Sequence, residues 1–221
     1  MDDMKQNHKL TIIVGPGSGI GLSIARKFAS NGFGVVLVAR KKDRLHQCVS
    51  ELKNLGINAF GVPADSTDPS SVKNAFEQIR TKYGVPEVLI YNAVIRRKKA
   101  PSCLTEEELM NDFKVNVIGA KTCITEVLPD FVKQKKGTFL VTGGGFALHP
   151  SIDFSSMSLG KAALRNFIFS LGEELQTKNI YVGTVTIMGK IEKNTKYDPE
   201  RIAQAYWNMY SDQNKRELIF K

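Results

Sequence analysis

Short apolar runs alternate with amphipathic stretches along the whole chain, and this alternation is the strongest constraint on its fold. Each run is nearly continuous and rich in β-branched residues, which is typical of a strand buried on both faces. Repeated strand–helix units build a parallel sheet with helices on both sides. We therefore predict one α/β domain, residues 1–221, with a doubly wound parallel sheet. The predicted strands are 10–14, 34–39, 57–62, 87–92, 137–142 and 180–187, and the predicted helices are 19–31, 42–55, 69–83, 105–135 and 157–177.

The ends of the predicted helices carry local signals. Asp68 and Thr105 stand immediately before two of the amphipathic stretches and are typical N-cap residues. Gly119 and Pro129 lie inside the fourth stretch and are expected to bend it. The tail from Pro199 onward indicates one more helix and a short last strand.

The formal net charge of +9 would suit an anionic partner. The basic residues are scattered, however, and the densest group, 96–99, is interpreted as a solvated loop. Without interleaved aromatic residues or a known motif, we expect no nucleic-acid partner.

No apolar run approaches the roughly 20 residues of a membrane helix, and the polar start shows no signal segment, so no membrane association is expected. The widely spaced Cys48, Cys103 and Cys123 are predicted to be free thiols in a reducing compartment. We therefore expect a cytoplasmic protein, and no metal site is predicted.

A glycine-rich segment separates the first predicted strand from the first predicted helix. Glycine permits positive φ and lets a phosphate approach the backbone, where the helix amides and dipole attract an anion. The surrounding strand–turn–helix context favours nucleotide binding over a tight turn without a ligand. The predicted cofactor-binding residues of this segment are Gly15, Gly17, Ser18, Gly19, Ile20 and Gly21.

The spacing G-x-x-x-G-I-G, together with later motifs, resembles the short-chain dehydrogenase/reductase family over almost the whole chain. "YNA" at 91–93 keeps Asn92 and Ala93 of a family motif that follows the fourth strand. Asp65 stands where the family has an aspartate beside the adenine. "VNVIG" carries Asn116 at the position of an asparagine in a helix kink, and "SLGKAAL" carries Lys161 on the helix of the family's lysine.

This resemblance implies a Rossmann fold that binds a nicotinamide dinucleotide. Asp65, Asn92, Ala93 and Lys161 would then contact the cofactor, although Lys161 could instead be a solvated helix residue. The family often forms dimers and tetramers through its fourth and fifth helices. The corresponding stretches, 105–135 and 157–177, carry more apolar residues than are required to cover the sheet with one face of each helix. A homodimer or homotetramer is therefore expected.

The second predicted strand, 34–39, is followed directly by Arg40 and two lysines, and the first acidic residue after this strand is Asp43. An acid at this point would bind a free ribose 2′-hydroxyl and repel a 2′-phosphate. Arginine offers a planar fork of donors that suits a phosphate. We therefore predict NADP(H) in preference to NAD(H); the alternative is that Arg40 only begins a solvated helix.

Two departures from the family pattern lie beside the cofactor. Tyr91 replaces an asparagine and Val94 replaces a glycine. If Val94 points toward the ribose, affinity for the cofactor falls; if it points into the core, nothing is lost.

In the family, a tyrosine exchanges the proton, a lysine lowers its pKa and holds the ribose, a serine binds the substrate oxygen and an asparagine holds a water. Lys161 and Asn116 remain in this chain, but Met157 occupies the tyrosine position and Gly144 the serine position. Losing a general acid typically costs on the order of 10²–10⁴ in rate, and losing an oxyanion donor costs about as much. Asn116 is then expected to bond to the backbone of its own kinked helix.

Other residues could replace the missing groups. Thr142, two residues before Gly144 on a strand, could supply a hydroxyl to the substrate. His149 is the nearby side chain whose ordinary pKa lies near neutrality and is the candidate replacement acid, with an exposed loop histidine as the alternative. The serines that flank Met157 at 155 and 158 are expected to point away from its face.

Two functions remain open at this point. The first is an NADP(H)-dependent oxidoreductase of a carbonyl or alcohol substrate with an altered catalytic set. The second is an inactive member of the same fold that binds NADP(H) or a protein partner. The substrate is not defined by the sequence: the segment from Met188 is short, and Ile191, Tyr206 and Trp207 either line a pocket or belong to the core.

Overall fold

The computed structural model of the protein describes residues 9–17 and 19–221. In this part of the chain seven parallel strands form one sheet in the order β3-β2-β1-β4-β5-β6-β7, so the predicted doubly wound parallel sheet is confirmed. The strands are β1 (Leu10–Val14), β2 (Gly34–Ala39), β3 (Ala59–Pro63), β4 (Val88–Tyr91), β5 (Gly137–Gly144), β6 (Ile180–Ile187) and β7 (Glu217–Phe220).

Helices connect the strands and cover both faces of the sheet. The N-cap side chains of Asp68 and Thr105 accept hydrogen bonds from first-turn amides, as expected, and Glu108 completes a capping box with Thr105. The helices are α1 (Ile20–Ala29), α2 (Lys42–Asn54), α3 (Pro69–Tyr83), α4 (Glu106–Phe113), α5 (Gly119–Gln134), α6 (Ser155–Gln176) and α7 (Pro199–Asp212).

The core consists of two apolar layers, one on each face of the sheet. One layer joins the sheet to α3, α5 and α6 and contains Phe76, Phe131 and Ile168. The other joins the sheet to α1, α2 and α7 and contains Phe28 and Tyr206. Strands buried on both faces explain why their sequences are continuously apolar.

The long fourth stretch is interrupted at the kink position that the family resemblance gives to Asn116, next to the bend predicted at Gly119, and it is not interrupted at Pro129. A π-helical turn, Lys114–Ile118, separates α4 from α5 immediately before Gly119, whereas α5 continues through Pro129. The π turn carries Asn116 against α6, where Gly160 leaves room for it: a Cβ on Gly160 would lie 2.7 Å from the Asn116 Cβ. Single π turns inside α-helices are frequent at functional sites.

The basic run 96–99 is not simply a solvated loop, and that interpretation was wrong for two of its members. Arg97 donates to both carboxylate oxygens of the fully buried Asp112, at 2.9 and 3.0 Å. The Lys99 ammonium lies 2.6 Å from Glu108. These ion pairs fasten the segment that follows β4 to α4.

Within residues 9–17 and 19–221, no helix is long and apolar enough to cross a membrane. The same residues contain no group of three or more histidine, cysteine or acidic side chains arranged to hold a metal ion. Cys48, Cys103 and Cys123 are free thiols.

Candidate cofactor and active site

The glycine-rich turn lies at the carboxyl edge of the sheet, beside the point where the strand order reverses between β1 and β4. Gly15 has φ +75°, and its amide donates to Val38 at 2.9 Å. A Cβ on Gly15 would lie 2.5 Å from the backbone of Ala93. Both the backbone conformation and the close approach of Ala93 therefore require glycine here.

The turn closes tightly onto the start of α1. A Cβ on Gly21 would lie 1.8 Å from the Pro16 carbonyl oxygen, so this position also has no room for a side chain. Gly19 is the N-cap of α1 and offers no capping side chain, and the first turn of α1 contains no acid. Among the described residues no side chain caps the first-turn amides, and these amides and the positive end of the helix dipole suit an anion. Gly17 is exposed in this turn, and Ser18 lies outside the described residues.

Arg40 and Asp65 meet beside the glycine-rich turn, at the ends of β2 and β3. The Arg40 guanidinium lies 3.6 Å from one Asp65 oxygen and is 62 % exposed. The other Asp65 oxygen accepts from the Thr67 amide and hydroxyl at 2.9 and 2.7 Å. Partial burial works to raise the pKa of Asp65, but the Thr67 hydrogen bonds and the Arg40 charge outweigh it and hold the pKa below its usual value.

Asn92 fastens the glycine-rich turn to the sheet. Its amide nitrogen donates to the Gly15 carbonyl oxygen at 2.6 Å, and its amide oxygen accepts from the Thr142 hydroxyl at 2.7 Å. Both the nitrogen and the oxygen of the Asn92 side chain are therefore hydrogen-bonded to protein groups. Asn92 fixes the backbone against which a cofactor would rest.

The Tyr91 side chain points into the core and not toward the glycine-rich turn. The side chain is 1 % exposed within the core layer of α3, α5 and α6. Its hydroxyl donates to the Val115 carbonyl oxygen at 2.6 Å and lies 3.3 Å from the Ser66 hydroxyl. Val94, the other departure from the family pattern, is half-buried.

Lys161 is buried at the carboxyl end of β5 and is not a solvated helix residue. The side chain is 5 % exposed, and its ammonium donates to the Thr142 carbonyl oxygen at 2.5 Å. Burial lowers the pKa of Lys161 to about 8. The lysine therefore loses or gains a proton close to neutral pH.

Gly144 and Met157 lie beside this lysine. A Cβ on Gly144 would be 3.6 Å from Cγ of Lys161, an ordinary contact distance, so the strand end and the lysine stem adjoin. Met157 is half-buried one turn before Lys161 on α6. Gly144 therefore adjoins Lys161, and Met157 projects from the same face of α6 as that lysine; of the three residues, Lys161 has a titratable proton.

Asn116 bonds to a backbone, but not to that of its own helix as predicted. Its side-chain oxygen accepts from the Ile95 amide at 2.7 Å, and its side-chain nitrogen donates to the Ile95 carbonyl at 3.4 Å. The π turn directs the side chain toward the segment after β4, where one residue offers both a donor and an acceptor. Asn116 therefore holds that segment in place.

The suggested replacement groups have different surroundings. The Thr142 hydroxyl donates to Asn92 and accepts from Tyr206 at 2.6 Å, so the suggestion that it serves the substrate was wrong. His149 is exposed and lies two residues after a 3₁₀ turn, Gly145–Ala147, that follows β5. The Ser155 and Ser158 hydroxyls bind the carbonyls of residues 99 and 154, away from Met157 as expected.

The connection from β6 to α7 is short and carries no helix. Residues 190–196 are exposed, and Gly189 packs so closely on Tyr197 that a Cβ would lie 2.1 Å from its ring. Tyr206 is fully buried and belongs to the core. Its hydroxyl contact with Thr142 was missed from the sequence because nothing local links positions 64 apart.

A parallel sheet in this strand order, with a glycine-rich turn between β1 and α1, is the arrangement of the Rossmann fold. The sequence model described as short chain dehydrogenase matches residues 9–197. The chain belongs to the short-chain dehydrogenase family.

Individual relatives agree with this membership. The chain is 27% identical over 213 residues to a 2,3-dihydro-2,3-dihydroxybenzoate dehydrogenase of Bacillus subtilis, covering 96% of this chain and 77% of the relative. It is 30% identical over 209 residues to a 3-oxoacyl-[acyl-carrier-protein] reductase of Aquifex aeolicus, covering 92% and 83%. A solved metagenomic short-chain oxidoreductase in complex with NADP superposes with a TM-score of 0.86 at 22% identity, covering 96% and 95%.

Proposed function

We propose that the protein binds NADP(H) in preference to NAD(H) and acts on a carbonyl or alcohol substrate with an altered catalytic set. The observation that carries the proposal is the free amino end of α1 behind Gly15, with the exposed Arg40 beside it. The uncapped amides suit a diphosphate, and the Arg40 fork suits a 2′-phosphate. A solved structure of the same fold that holds NADP supports this choice.

The residues present fit such a cofactor. The cradle of Gly15 and Gly21 excludes side chains and leaves the backbone accessible. Asp65 would lie beside the adenine end, Asn92 and Ala93 hold the turn, and Lys161 would hold ribose hydroxyls. When bound, NADPH supplies the hydride for carbonyl reduction.

The proton that carbonyl reduction requires must come from another group, because the side chains of Met157 and Gly144 have no proton to donate. Lys161, with its pKa lowered to about 8 by burial, and solvent are the nearby proton sources, and His149 stays a candidate. Turnover is therefore expected to be slow compared with relatives that have the tyrosine and serine.

Met157 and Gly144 also favour a second candidate function, that of an inactive cofactor-binding protein. A chain that keeps the cofactor cradle but lacks both the acid and the oxyanion donor can act as an inactive NADP(H)-binding protein. Activity with carbonyl substrates separates this alternative from the oxidoreductase, since both predict binding of the cofactor.

Calorimetric titration of the full chain with NADPH and, separately, NADH tests the proposal. We expect micromolar binding of NADPH and weaker binding of NADH. If neither dinucleotide binds, the cofactor site is closed and the proposal fails.

We also propose a homo-oligomer in the cytoplasm. Large apolar side chains are exposed on α4, on the π turn and on α6, and they include Met110 at 61 %, Ile118 at 45 % and Leu159 at 53 %. Exposed apolar side chains on elements that contact one another suit a surface that a second copy of the chain covers. Light scattering at micromolar protein checks the mass; a monomer would end this part of the proposal, and Leu159→Glu is expected to dissociate the oligomer.

A further inference from the structure

A buried chain of hydrogen bonds connects α7 to the glycine-rich turn. The Tyr206 hydroxyl donates to the Thr142 hydroxyl at 2.6 Å, which donates to the Asn92 amide oxygen at 2.7 Å. The Asn92 amide nitrogen then donates to the Gly15 carbonyl at 2.6 Å. Tyr206 is fully buried and Thr142 is 8 % exposed, so water does not compete freely for these bonds.

The direction of every bond in this chain is fixed. Gly15 offers a carbonyl, so Asn92 must donate with its nitrogen and accept with its oxygen. Thr142 must then donate to Asn92, which leaves its hydroxyl oxygen to accept from Tyr206. Tyr206 is therefore the terminal donor that orients the Thr142 hydroxyl.

Thr142 holds a second part of the site through its backbone. Its carbonyl oxygen accepts from the Lys161 ammonium at 2.5 Å. The residue that Tyr206 orients is therefore bonded both to the turn, through Asn92, and to the lysine beside Gly144. A shift of Thr142 would move two cofactor-facing elements together.

The same helix also braces the segment that follows the glycine-rich turn. Glu200, in the first turn of α7, accepts from the Ser23 hydroxyl at 2.9 Å and from Arg26 at 2.5 Å, and both donors lie on α1. Thus α7 contacts α1 through Glu200 and the turn through Tyr206.

We propose that Tyr206 is a positioning residue for the cofactor, acting through Thr142 and Asn92 on Gly15 and Lys161. This inference rests on the proposed NADP(H) binding. Tyr206 does not touch the cofactor itself. Its hydroxyl keeps the turn and the lysine in the arrangement that a dinucleotide needs.

The test is the NADPH affinity of Tyr206→Phe, measured by calorimetry well below its unfolding temperature. Removing the hydroxyl is expected to weaken NADPH binding about five- to tenfold, because a buried acceptor loses its donor. Tyr181→Phe is the matched control, since the Tyr181 hydroxyl also donates to a protein group, the Lys215 carbonyl at 2.5 Å, remote from the turn. The control should bind NADPH like the original protein.

A double-variant cycle separates positioning from general loss of stability. Thr142→Val should weaken NADPH binding to a similar extent, and adding Tyr206→Phe to it should cause little further loss, because both act along one chain of bonds. Thr142→Ser keeps the hydroxyl and should restore affinity. A role limited to packing would lower thermal stability without this pattern in NADPH affinity.

Three outcomes overturn the inference. Tyr206→Phe could bind NADPH as tightly as the original protein, Tyr181→Phe could lose as much affinity, or the two effects at 142 and 206 could add fully. Failure of the original protein to bind NADPH would instead refute the proposed function, and this inference with it.

Discussion

The stem of Lys161 lies against Gly144, whose missing side chain would start 3.6 Å from the lysine Cγ. This distance is an ordinary contact, so a small side chain at 144 fits without displacing the lysine. The end of β5 and the lysine of α6 are therefore already arranged as neighbours, although Gly144 itself carries no hydroxyl and Met157 no phenol.

Introducing a serine hydroxyl at 144 and a tyrosine phenol at 157 is expected to create carbonyl reductase activity. The double substitution Gly144→Ser with Met157→Tyr adds an oxyanion donor and a phenol near Lys161. When well placed, a general acid is worth on the order of 10²–10⁴ in rate and an oxyanion donor about 10²–10³. We expect a gain of at least about tenfold in NADPH oxidation with a panel of small ketones. Gly144→Ser with Met157→Phe adds the ring without its hydroxyl and serves as control. A double variant that binds NADPH but stays at background activity would mean that the pocket does not admit a carbonyl substrate.

Arg40 is expected to determine the choice between the two dinucleotides. Arg40→Ala removes the exposed guanidinium beside Asp65 and should weaken NADPH binding by about tenfold or more, since a charge-assisted bond to phosphate is lost. NADH binding should change little. Lys53→Ala, at the opposite end of α2, is the control for net charge. Equal losses for NADPH and NADH would show that Arg40 does not read the 2′-phosphate. Both affinities are measurable by calorimetry.

The buried Lys161 should make the stability of the ligand-free protein depend on alkaline pH. Burial lowers its pKa from 10.5 to about 8. Between these values the unfolded chain binds the extra proton, so the free energy of unfolding rises with pH, and the full penalty is present below pH 8. Between neutral pH and about pH 10.5, the free energy of unfolding of the original protein should rise by about 2–3 kcal/mol relative to that of Lys161→Met.

Urea unfolding at several pH values measures this difference. The exposed Lys178→Met is the control, and it should show no comparable dependence. A difference between the original protein and Lys161→Met that stays constant with pH would mean that the lysine is charged in the folded state throughout.

Ser156 should contribute to stability through a buried carboxylate. Its hydroxyl donates to Asp112 at 2.7 Å, and Asp112 is fully buried on α4. Ser156→Ala leaves that carboxylate with one donor fewer and should lower the free energy of unfolding by about 1–3 kcal/mol. Ser170→Ala, whose exposed hydroxyl binds only a helix carbonyl, should be near neutral. Chemical unfolding of the two variants measures the difference. Equal free energies of unfolding would contradict a stabilising role for the hydrogen bond from Ser156 to Asp112.

The fold was largely predictable because its signals are local. Continuous apolar runs mark strands buried on both faces, and Asp68 marks the start of α3 by a bond to a residue two positions away. Gly15 was predictable for the same reason, since its conformation belongs to a strand–turn–helix unit. The predicted boundaries are off by only a few residues where strands start or end.

The long-range polar contacts could not be predicted in this way. Asn116 was expected to bond within its helix, but the π turn directs it to Ile95 in another segment. Thr142 was considered for the substrate, but the packing of α7 places the Tyr206 hydroxyl against it. In both cases a side chain with several possible partners is assigned to one of them only by tertiary packing. Residue type alone leaves that choice open.

The short exposed connection at 190–196 affects how any reaction here could proceed. In this arrangement the segment has no helix of its own that covers a bound substrate and expels solvent. Charge that develops during hydride transfer would then be stabilised in part by water, in a medium of higher dielectric constant than a sealed cleft provides. Release of product would require no opening step, so the chemical step itself should limit the turnover rate.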